Sequence, residues 1–511
     1  MKVPEKTNDG SINIALDTVA KKKQALVFNS TKRSAEKTGE DIAKKMAGGN
    51  PKLLQLSEEV LHALARPTKQ CQRLSACVKK GIAFHHAGLT QKQKDIVEDS
   101  FRSGLIRVIS CTPTLAAGLD LPAFRTVLKS LKRYGPRGLQ YIPVLEYLQM
   151  AGRAGRPNYD SFGEAIIIAS SEPEKEDVTE RFVKGSPEEI YSKLAVEPVL
   201  RTYLLSLISI NFVNSRQSIV SFFEKTFWAF QFRDMARLES IIEKMLGLLD
   251  EWEFIRRSGD DFRPADELGD EMIKATQLGK RVSELYIDPL TAHFIITCLH
   301  RASSVMVNPF SILQMISHTL EMRPLLKVRA KEYDVVEEAL AKHEILELEP
   351  TMYDMEYDEF LNSVKTALFF NDWIDECDEE TLLDKYNIRP GEIRTKLDTA
   401  DWMLYASDEL CRMLRFQKVI KEIRRVRLRL KYGVKEELLT LLRLEQVGRV
   451  RARKLYRNGI KDISDVKSCD IQTLVQILGR SVAVNIKKQV GQDFGKVKQG
   501  KRKGQISLLD Y

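Results

Sequence analysis

The sequence lacks the features that mark a disulfide-bonded, secreted or membrane-spanning protein. Its seven cysteines form no C-x-x-C pair and no Cys/His cluster at zinc spacing, so neither a disulfide framework nor a structural metal is expected. The first twenty residues carry charges throughout and contain no apolar signal core. The longest apolar runs, such as residues 199–210, are interrupted and too short to cross a bilayer. We therefore expect a soluble chain in a reducing cytoplasm, with no membrane partner.

The length and the charge of the chain bound its organisation. A chain of 511 residues is too long for one core and predicts about three to five domains. The net charge is +9, and residues 411–460 hold sixteen Lys or Arg against four Asp or Glu. Such a basic concentration indicates a polyanionic partner, most often nucleic acid, and the alternative is a solvated helical face.

Short apolar runs separated by helical patterns occupy the first third of the chain. The runs at 24–29, 81–89, 106–114 and 163–169 suit buried strands, and their alternation with helices is typical of a parallel α/β sheet. The S-T-K-R sequence after the first run is typical of a capped helix start. In parallel sheets ligands bind at the C-terminal strand ends, where a short polar segment follows each run.

From about residue 181 the pattern becomes mostly helical. The turn-rich segment at 256–264 is flanked by two potential short strands, which suits a winged-helix module. A long helix is predicted from Pro390 through Trp402 toward Leu430, and Gly433 is expected to end it.

The segment Q-M-A-G-R-A-G-R-P places Arg153 and Arg156 three residues apart, each after a glycine. This spacing predicts both guanidinium groups on one side of a helical turn. Arginine stays charged and offers a rigid donor fork, so the pair suits phosphate oxygens. The alternative is an ordinary surface loop.

Four motifs in order carry a family resemblance: V-F-N-S-T-K-R (27–33), F-H-H-A-G-L (84–89), C-T-P-T-L-A-A-G-L-D-L-P-A (111–123) and the arginine segment. Together they resemble the second RecA-like motor domain of a superfamily 2 helicase. Their spacing and the downstream segments resemble archaeal HelQ-type (Ski-like) DNA helicases over about residues 10–490. This resemblance implies a multidomain ATP-dependent enzyme that uses Mg²⁺ and moves 3′→5′ on forked or single-stranded DNA in replication-linked repair.

The resemblance also implies a domain order. An α/β RecA-like parallel-sheet domain is followed by winged-helix, helical-bundle (ratchet) and helix–hairpin–helix domains. The expected boundaries are 1–180 for the second motor domain, 181–286 for the winged helix, 287–432 for the ratchet, 433–490 for the helix–hairpin–helix and 491–511 for a basic linker with a clamp-binding peptide.

The family's catalytic roles fall on the arginine segment. Arg156 corresponds to an arginine finger and Arg153 to its companion, both reaching ATP bound mainly by a preceding motor domain. Gln149 corresponds to a sensor of nucleotide or attacking water. Gly118 and Asp120 are implied to face the nucleotide cleft.

Several side chains are expected to bind nucleic acid. Hydroxyls and small residues after a strand suit phosphate contacts, and a hairpin at 130–143 corresponds to the family's duplex-separating wedge. Trp402 corresponds to a base-stacking residue of the ratchet helix, with a core tryptophan as the alternative. The family's arginine seven residues earlier is Thr395 here, and Arg394 is a potential substitute. The expected nucleic-acid ligands are Ser30, Thr31, Arg33, Thr112, Thr114, Lys132, Arg133, Tyr134, Tyr141, Arg394, Trp402, Gly448, Arg449, Arg451, Arg453 and Lys454.

The last seven residues, Q-I-S-L-L-D-Y, follow a basic linker. They resemble the peptide that docks on the sliding clamp (PCNA), with Gln505, Leu508 and Tyr511 at its contact positions. The spacing of three residues puts Leu508 and Tyr511 on one face of a single turn.

Two motifs of a complete helicase do not occur. No G-K-[ST] is present, and the D-E-C-D sequence at 375–378 lies far after the arginines, where an acidic helix boundary is expected. His85 and His86 lack partners at metal-ligand spacing. We therefore expect a C-terminal part of a helicase, or one half of a split enzyme, without ATPase activity alone. The alternatives are a non-enzymatic, clamp-tethered DNA-binding protein and, more weakly, a related RNA helicase.

Overall fold

The computed structural model describes residues 3–48, 50–64, 67–116, 121–135, 138–156, 160–258 and 272–492. Within these residues it contains nine strands and twenty-three α-helices. The strands are β1 Ala25–Phe28, β2 Ile82–His85, β3 Val108–Cys111, β4 Arg125–Leu128, β5 Lys132–Gly135, β6 Gly138–Tyr141, β7 Glu164–Ile167, β8 Ile255–Arg257 and β9 Ile273–Ala275. The helices are α1 Gly10–Ala20, α2 Lys32–Lys44, α3 Pro51–Leu61, α4 Lys69–Val78, α5 Gln91–Arg102, α6 Val144–Ala151, α7 Glu172–Val178, α8 Glu197–Ser209, α9 Arg216–Phe223, α10 Phe227–Phe232, α11 Met235–Glu251, α12 Gln277–Glu284, α13 Pro289–Arg301, α14 Pro309–Ser317, α15 Tyr333–Lys342, α16 Tyr357–Ile374, α17 Glu379–Tyr386, α18 Pro390–Met413, α19 Gln417–Tyr432, α20 Arg449–Arg457, α21 Ile463–Ser468, α22 Ile471–Leu478 and α23 Arg480–Gln489.

A five-stranded parallel sheet of order β2-β3-β1-β4-β7 forms the core of the first third of the chain. The predicted α/β class is confirmed. Each of the four predicted runs contains a strand, but β4 was not predicted and lies between β1 and β7. Its first residue, Arg125, is 1% exposed and donates to Asp17 and Glu164, so a charged residue begins a buried strand.

Side-chain caps fix where the helices around this sheet begin. The Thr31 hydroxyl accepts the backbone N–H of Ser34 at 3.1 Å and starts α2, as the sequence predicted. Thr90 and Gln93 form a reciprocal capping box at the start of α5. The apolar faces of these helices and the strands share one continuous core that extends from Ile12 to Phe182.

The chain divides into two compact units. The first comprises residues Met1–Leu200, Arg216–Lys244 and Glu379–Lys396, and the second Arg201–Ser215, Met245–Asp378 and Leu397–Tyr511. In the second unit α14, α16 and α19 pack together, and residues 434–486 build a small core of their own. The strands predicted beside the turn-rich segment are the antiparallel pair β8–β9.

The single helix predicted from Pro390 to Leu430 is wrong. Two helices, α18 and α19, are separated at residues 414–416 because Arg415 adopts a left-handed backbone with φ 62°. Gly433, with φ 63°, ends α19 as predicted. No helix of the described residues is long and apolar enough to cross a membrane.

Candidate functional site

One pocket of about 870 Å³ lies at the C-terminal edge of the parallel sheet, within the first unit. Phe28, Cys111 and His85 end neighbouring strands in register, so the segments that follow them emerge at the same edge. Three separated motifs and helix α6 contribute to the walls. The lining residues used below are Ser30, Thr31, Arg33, Thr112, Thr114, Lys132, Arg133, Gln149 and Arg389.

Buried Asn29 organises the segment after β1. Its amide nitrogen donates to Val27 O and Ser110 Oγ, each at 3.0 Å. Its Oδ1 accepts from the hydroxyls of Ser34 and Thr38, each at 3.0 Å. Every polar atom of this amide is therefore used to fix the turn, which leaves the side chains of residues 30, 31 and 33 exposed at the pocket.

The segment after β3 brings two hydroxyls together. Thr112 is buried and Thr114 is exposed, and their Oγ1 atoms lie 2.9 Å apart at the pocket wall. Both hydroxyls can donate to or accept from a ligand oxygen. Gly118 and Asp120, which follow in the same motif, lie outside the described residues.

The predicted turn at 130–143 is an antiparallel hairpin, in which Lys132 pairs with Tyr141 and Tyr134 with Leu139. Near its tip Tyr134 is 84% and Leu139 57% exposed. Lys132 contacts Glu174 at 3.2 Å, and Arg133 contacts Glu146 at 2.8 Å. The hairpin thus carries an apolar cross-strand pair near the tip.

Tyr141 lies at the base of this hairpin, away from Tyr134. Its ring packs edge-on against Phe182, with the centroids 5.6 Å apart, and lies beneath the cations of Lys132 and Arg181. The structure therefore separates the two tyrosines that sequence reasoning grouped together.

The helical turn predicted for the two arginines is wrong. Helix α6 ends at Ala151, and Ala154 forms a parallel bridge with Ala123 while Gly155 takes φ 96°. Because the left-handed glycine breaks the turn, the two guanidinium groups diverge. Arg153 Nη2 donates to Ala116 O at 2.7 Å.

Arg156 is held within its own domain. Its Nε donates to Asp160 Oδ2 at 2.7 Å, and its Nη1 donates to Gln24 Oε1 at 2.8 Å. Of the three residues predicted to be catalytic, only the exposed Gln149 lines the pocket, and the two arginines do not.

The residues of α18 that were considered for DNA binding differ in their exposure and in their hydrogen-bond partners. Half-buried Trp402 donates its indole N–H to Leu285 O at 2.9 Å. Thr395 returns its hydroxyl to Gly391 O at 3.1 Å, and Arg394 is exposed. The indole nitrogen is thus engaged within the second unit, while half-burial leaves part of the ring accessible.

Part of the basic segment is paired with acids that lie outside the counted window. Arg424 pairs with Asp408, Arg427 with Asp401 and Arg429 with Asp375. The predicted polyanion face therefore carries less uncompensated charge than the residue count indicated.

Three of the four predicted cations after Gly448 have partners within the chain. Arg453 bonds both oxygens of Glu376 at 2.7 Å, Arg449 donates to Cys377 O at 2.7 Å and Arg451 to Gln446 O at 2.7 Å. Lys454 is exposed and forms no ion pair with the described residues. Gly448 is the N-cap of α20 with extended backbone, and Gln446 takes the left-handed φ of 66° that the tight turn needs.

The two histidines and the D-E-C-D sequence pair with other side chains of the chain. His85 pairs with Glu98 at 2.9 Å and His86 with Glu36 at 3.1 Å. Residues 375–378 separate α16 from α17, as predicted, and their carboxylates bind arginines.

Sequence reasoning missed three residues around the pocket: Asn29, Glu36 and Arg389. Asn29 directly follows a buried strand, which is a usable signal for a site residue. Glu36 is buried inside α2 and Arg389 comes from the loop before α18. No motif connects these two distant positions. The predicted clamp contacts Gln505, Leu508 and Tyr511 lie outside the described residues.

Comparisons with known proteins agree with this architecture. Residues 10–158 match the model for the helicase conserved C-terminal domain, and residues 310–433 match the model for archaeal helicase domain 4. The parallel α/β domain and the helical region together define a multidomain helicase.

Three curated relatives are named ATP-dependent DNA helicase Hel308. They come from Methanococcus vannielii (37% identical, 95% of this chain), Pyrococcus horikoshii (37%, 98%) and Pyrococcus abyssi (38%, 98%). The matched region covers 68% of each relative. The chain belongs to the Hel308 helicase family.

Proposed function

We propose that this chain is part of an ATP-dependent DNA helicase of the HelQ type, and that its pocket binds the backbone of a single strand. The observation that carries the proposal is the convergence of Ser30–Arg33 and Thr112–Thr114 at one edge of a parallel sheet. Hydroxyls and cations are the groups that hold a strand by its phosphates without reading its bases.

The arginine segment faces ATP in this proposal. Arg156 is the finger, Arg153 its companion and Gln149 the sensor, and Gly118 and Asp120 line the cleft. The nucleotide, with its Mg²⁺, requires a phosphate loop from outside these 511 residues, since no G-K-[ST] occurs within them. The role of the arginines toward ATP is the same for a phosphate loop on this polypeptide and for one on a separate polypeptide.

The remaining domains supply grip and strand separation. In the proposal, residues 181–286 form a winged helix, residues 287–432 the ratchet with Arg394 and Trp402, and residues 433–490 a helix–hairpin–helix whose Lys454 contacts phosphate. The hairpin with Tyr134 and Leu139 separates duplex while the motor moves 3′→5′ on forked DNA during replication-linked repair. Residues 491–511 tether the cytoplasmic enzyme to the sliding clamp through Gln505, Leu508 and Tyr511.

The finger is tested by ATP hydrolysis in the presence of single-stranded DNA. The 511-residue chain alone is expected to hydrolyse no ATP, and to support hydrolysis when a relative's phosphate-loop motor domain is supplied. Arg156→Ala is expected to lower that rate by roughly 10³-fold, with DNA affinity unchanged. Robust hydrolysis by the chain alone, or an active Arg156→Ala variant, would contradict this proposal.

The second candidate is a non-enzymatic, clamp-tethered DNA-binding protein. The hydrogen bonds that hold Arg156 to Asp160 and Gln24 favour it, because a structural arginine needs no nucleotide. It predicts salt-sensitive DNA binding and indifference of every activity to Arg156→Ala. Loss of clamp capture on deletion of Gln505–Tyr511 is expected in both cases and tests the clamp peptide alone.

A further inference from the structure

Arg389 lines the pocket at the edge of the parallel sheet, although it is distant in sequence from most of the other lining residues. It immediately precedes α18, lies in the first unit and lines the same pocket as Thr112 and Arg33. Its side chain is 16% exposed. Its two Nη groups form no hydrogen bond within the part of the chain that the structure describes.

Glu36 accepts a hydrogen bond from Nε of the same guanidinium group. Its carboxylate is 4% exposed and accepts Arg389 Nε, His86 Nε2 and Gln70 Nε2, each at 3.1 Å, and Arg73 Nη1 at 2.8 Å. Burial raises the pKa of Glu36, but the His86 hydrogen bond and the charges of Arg389 and Arg73 outweigh it and lower the pKa to about 2. Glu36 is therefore ionised at neutral pH, and one carboxylate anchors two arginines.

The tautomer of His86 follows from its neighbours. The backbone N–H of Gly88 donates to His86 Nδ1 at 3.0 Å, so the ring proton is on Nε2 and is donated to Glu36. Burial lowers the pKa of His86, which keeps the ring neutral. His86 thus orients Glu36 without neutralising it.

Two glycines allow the segment around Arg389 to pack closely against residues 87–89. A Cβ on Gly88 would lie 2.3 Å from Arg389 Cδ, and a Cβ on Gly391 would lie 2.3 Å from Leu89 O. The backbone N–H of Gly391 donates to Gly88 O at 3.1 Å. The aliphatic part of Arg389 therefore occupies the place that a side chain at position 88 would need.

The charge of the pocket wall favours a polyanion. Five cationic side chains and one carboxylate, that of Glu146, line it. Glu146 pairs with Arg133, and three of the other cations pair with carboxylates outside the lining, namely Glu392, Glu174 and Glu36. The cationic residues are Lys32, Arg33, Lys132, Arg133 and Arg389. Arg33 is exposed and, like the Nη groups of Arg389, has no hydrogen-bonding partner among the described residues.

We propose that Arg389 binds a backbone phosphate of the single strand in this pocket, and that Glu36, His86 and Gly88 are positioning residues that aim its Nη groups. The proposal rests on the proposed function and extends it to a residue outside the motor motifs. Because Arg389 immediately precedes α18, one phosphate would be bound jointly by the motor motifs and by the residue before that helix, all within the first unit.

The salt dependence of binding tests the contact. Affinity of the 511-residue chain for fluorescein-labelled oligothymidine is measured by anisotropy from 50 to 300 mM KCl. Arg389→Gln is expected to weaken binding roughly fivefold at the lowest salt and to reduce the slope of log K against log salt by about 0.7, the value for one lost phosphate contact on a single strand. Arg389→Lys is expected to retain most of the slope.

Arg73→Gln is the matched control. Arg73 binds the same Glu36 carboxylate and is absent from the pocket wall, so its loss removes equal charge without removing the contact. An Arg73→Gln slope equal to that of the unaltered chain supports the proposal. A wild-type slope in Arg389→Gln, or an equal fall in Arg73→Gln, overturns it.

A double-mutant cycle tests the aiming. Gly88→Ala is expected to reproduce the defect of Arg389→Gln, and the double variant is expected to be no worse than either, since both remove one interaction. Additive defects in the double variant overturn the positioning role of Gly88. If Gly88→Ala does not fold, the comparison of Arg389→Gln with Arg73→Gln still tests the phosphate contact. An unaltered chain that binds no oligothymidine would refute the proposed function itself, whereas unaffected variants of a binding chain refute this inference alone.

Discussion

Arg156 is restrained on two sides of its guanidinium group. Asp160 Oδ2 and Gln24 Oε1 accept its hydrogen bonds, and Lys23 also binds Asp160 at 2.5 Å. The hydrogen bond from Arg156 lowers the pKa of Asp160, so the acid remains charged at neutral pH. A finger that engages ATP must first exchange these partners, and Lys23 is placed to compensate Asp160 when it does.

The ionisation of Glu36 makes the stability of the chain sensitive to acid. Its pKa is about 2 in the folded chain against 4.5 for the free group, so its contribution is complete above about pH 4.5 and disappears as pH falls toward 2. The shift corresponds to about 3 kcal/mol. Glu36→Gln is expected to lower the free energy of unfolding at pH 7 and to flatten its pH dependence between 4.5 and 2, measured by urea denaturation.

Glu172→Gln is the control for that measurement. Glu172 is exposed and pairs only with exposed Lys175 among the described residues, so its loss is expected to change stability by less than about 1 kcal/mol. A Glu36→Gln variant with the acid sensitivity of the unaltered chain would show that Glu36 is not the responsible group.

At the scale of elements, a residue with a left-handed backbone lies on each side of α19, and the two residues are expected to respond to substitution in opposite directions. Gly433 has φ 63°, and a Cβ there would lie 2.8 Å from the Trp373 ring. Arg415 has φ 62° in the break before α19, where a non-glycine residue costs about 1 kcal/mol. Gly433→Ala is expected to destabilise the chain by about 2 kcal/mol or more, and Arg415→Gly to stabilise it by up to about 1 kcal/mol, in thermal unfolding. Equal effects of both substitutions would contradict this view.

The hairpin offers a second test at this scale. Tyr134 and Leu139 are exposed cross-strand partners near its tip, whereas Tyr141 packs on Phe182. Replacing both tip residues with serine is expected to reduce the preference for forked over single-stranded DNA by roughly fivefold, because each stacked base contributes about 1–3 kcal/mol. Competition anisotropy measures the preference, and Tyr141→Phe is the control expected to keep it. An unchanged preference in the tip variant would argue against a wedge.

The elements show why sequence prediction succeeded and where it failed. The start of α2 and the end of α19 were predictable because Thr31 and Gly433 act on their own neighbours. Strand β4 was missed because its buried Arg125 depends on Asp17 and Glu164, which are distant in sequence. The approach of Arg389 to Glu36, 353 residues apart, follows from tertiary packing alone, and no local pattern records it.

At the scale of the whole molecule, the seven thiols divide into two classes. Cys71, Cys77, Cys111, Cys298 and Cys411 are buried, and Cys377 and Cys469 are half-buried. Burial raises the pKa of both Cys77 and Cys411 to about 12. Ellman's reagent is expected to titrate about two thiols in the native chain and seven in denaturant. Rapid reaction of four or more native thiols would mean that the cores open readily.

The contact between Gly88 and Gly391 fixes the rotation of the first turn of α18 within the first unit. An α-helix turns about 100° per residue, so the direction of the Arg394 side chain follows from an anchored position only three residues earlier. One residue inserted between Gly391 and Arg394 would turn that side chain by about 100° and shift it about 1.5 Å along the helix, whereas seven inserted residues would nearly restore its direction. Insertions and deletions in this stretch are therefore expected to be more harmful than substitutions. Relatives are expected to differ more in the side chains of this stretch than in its length.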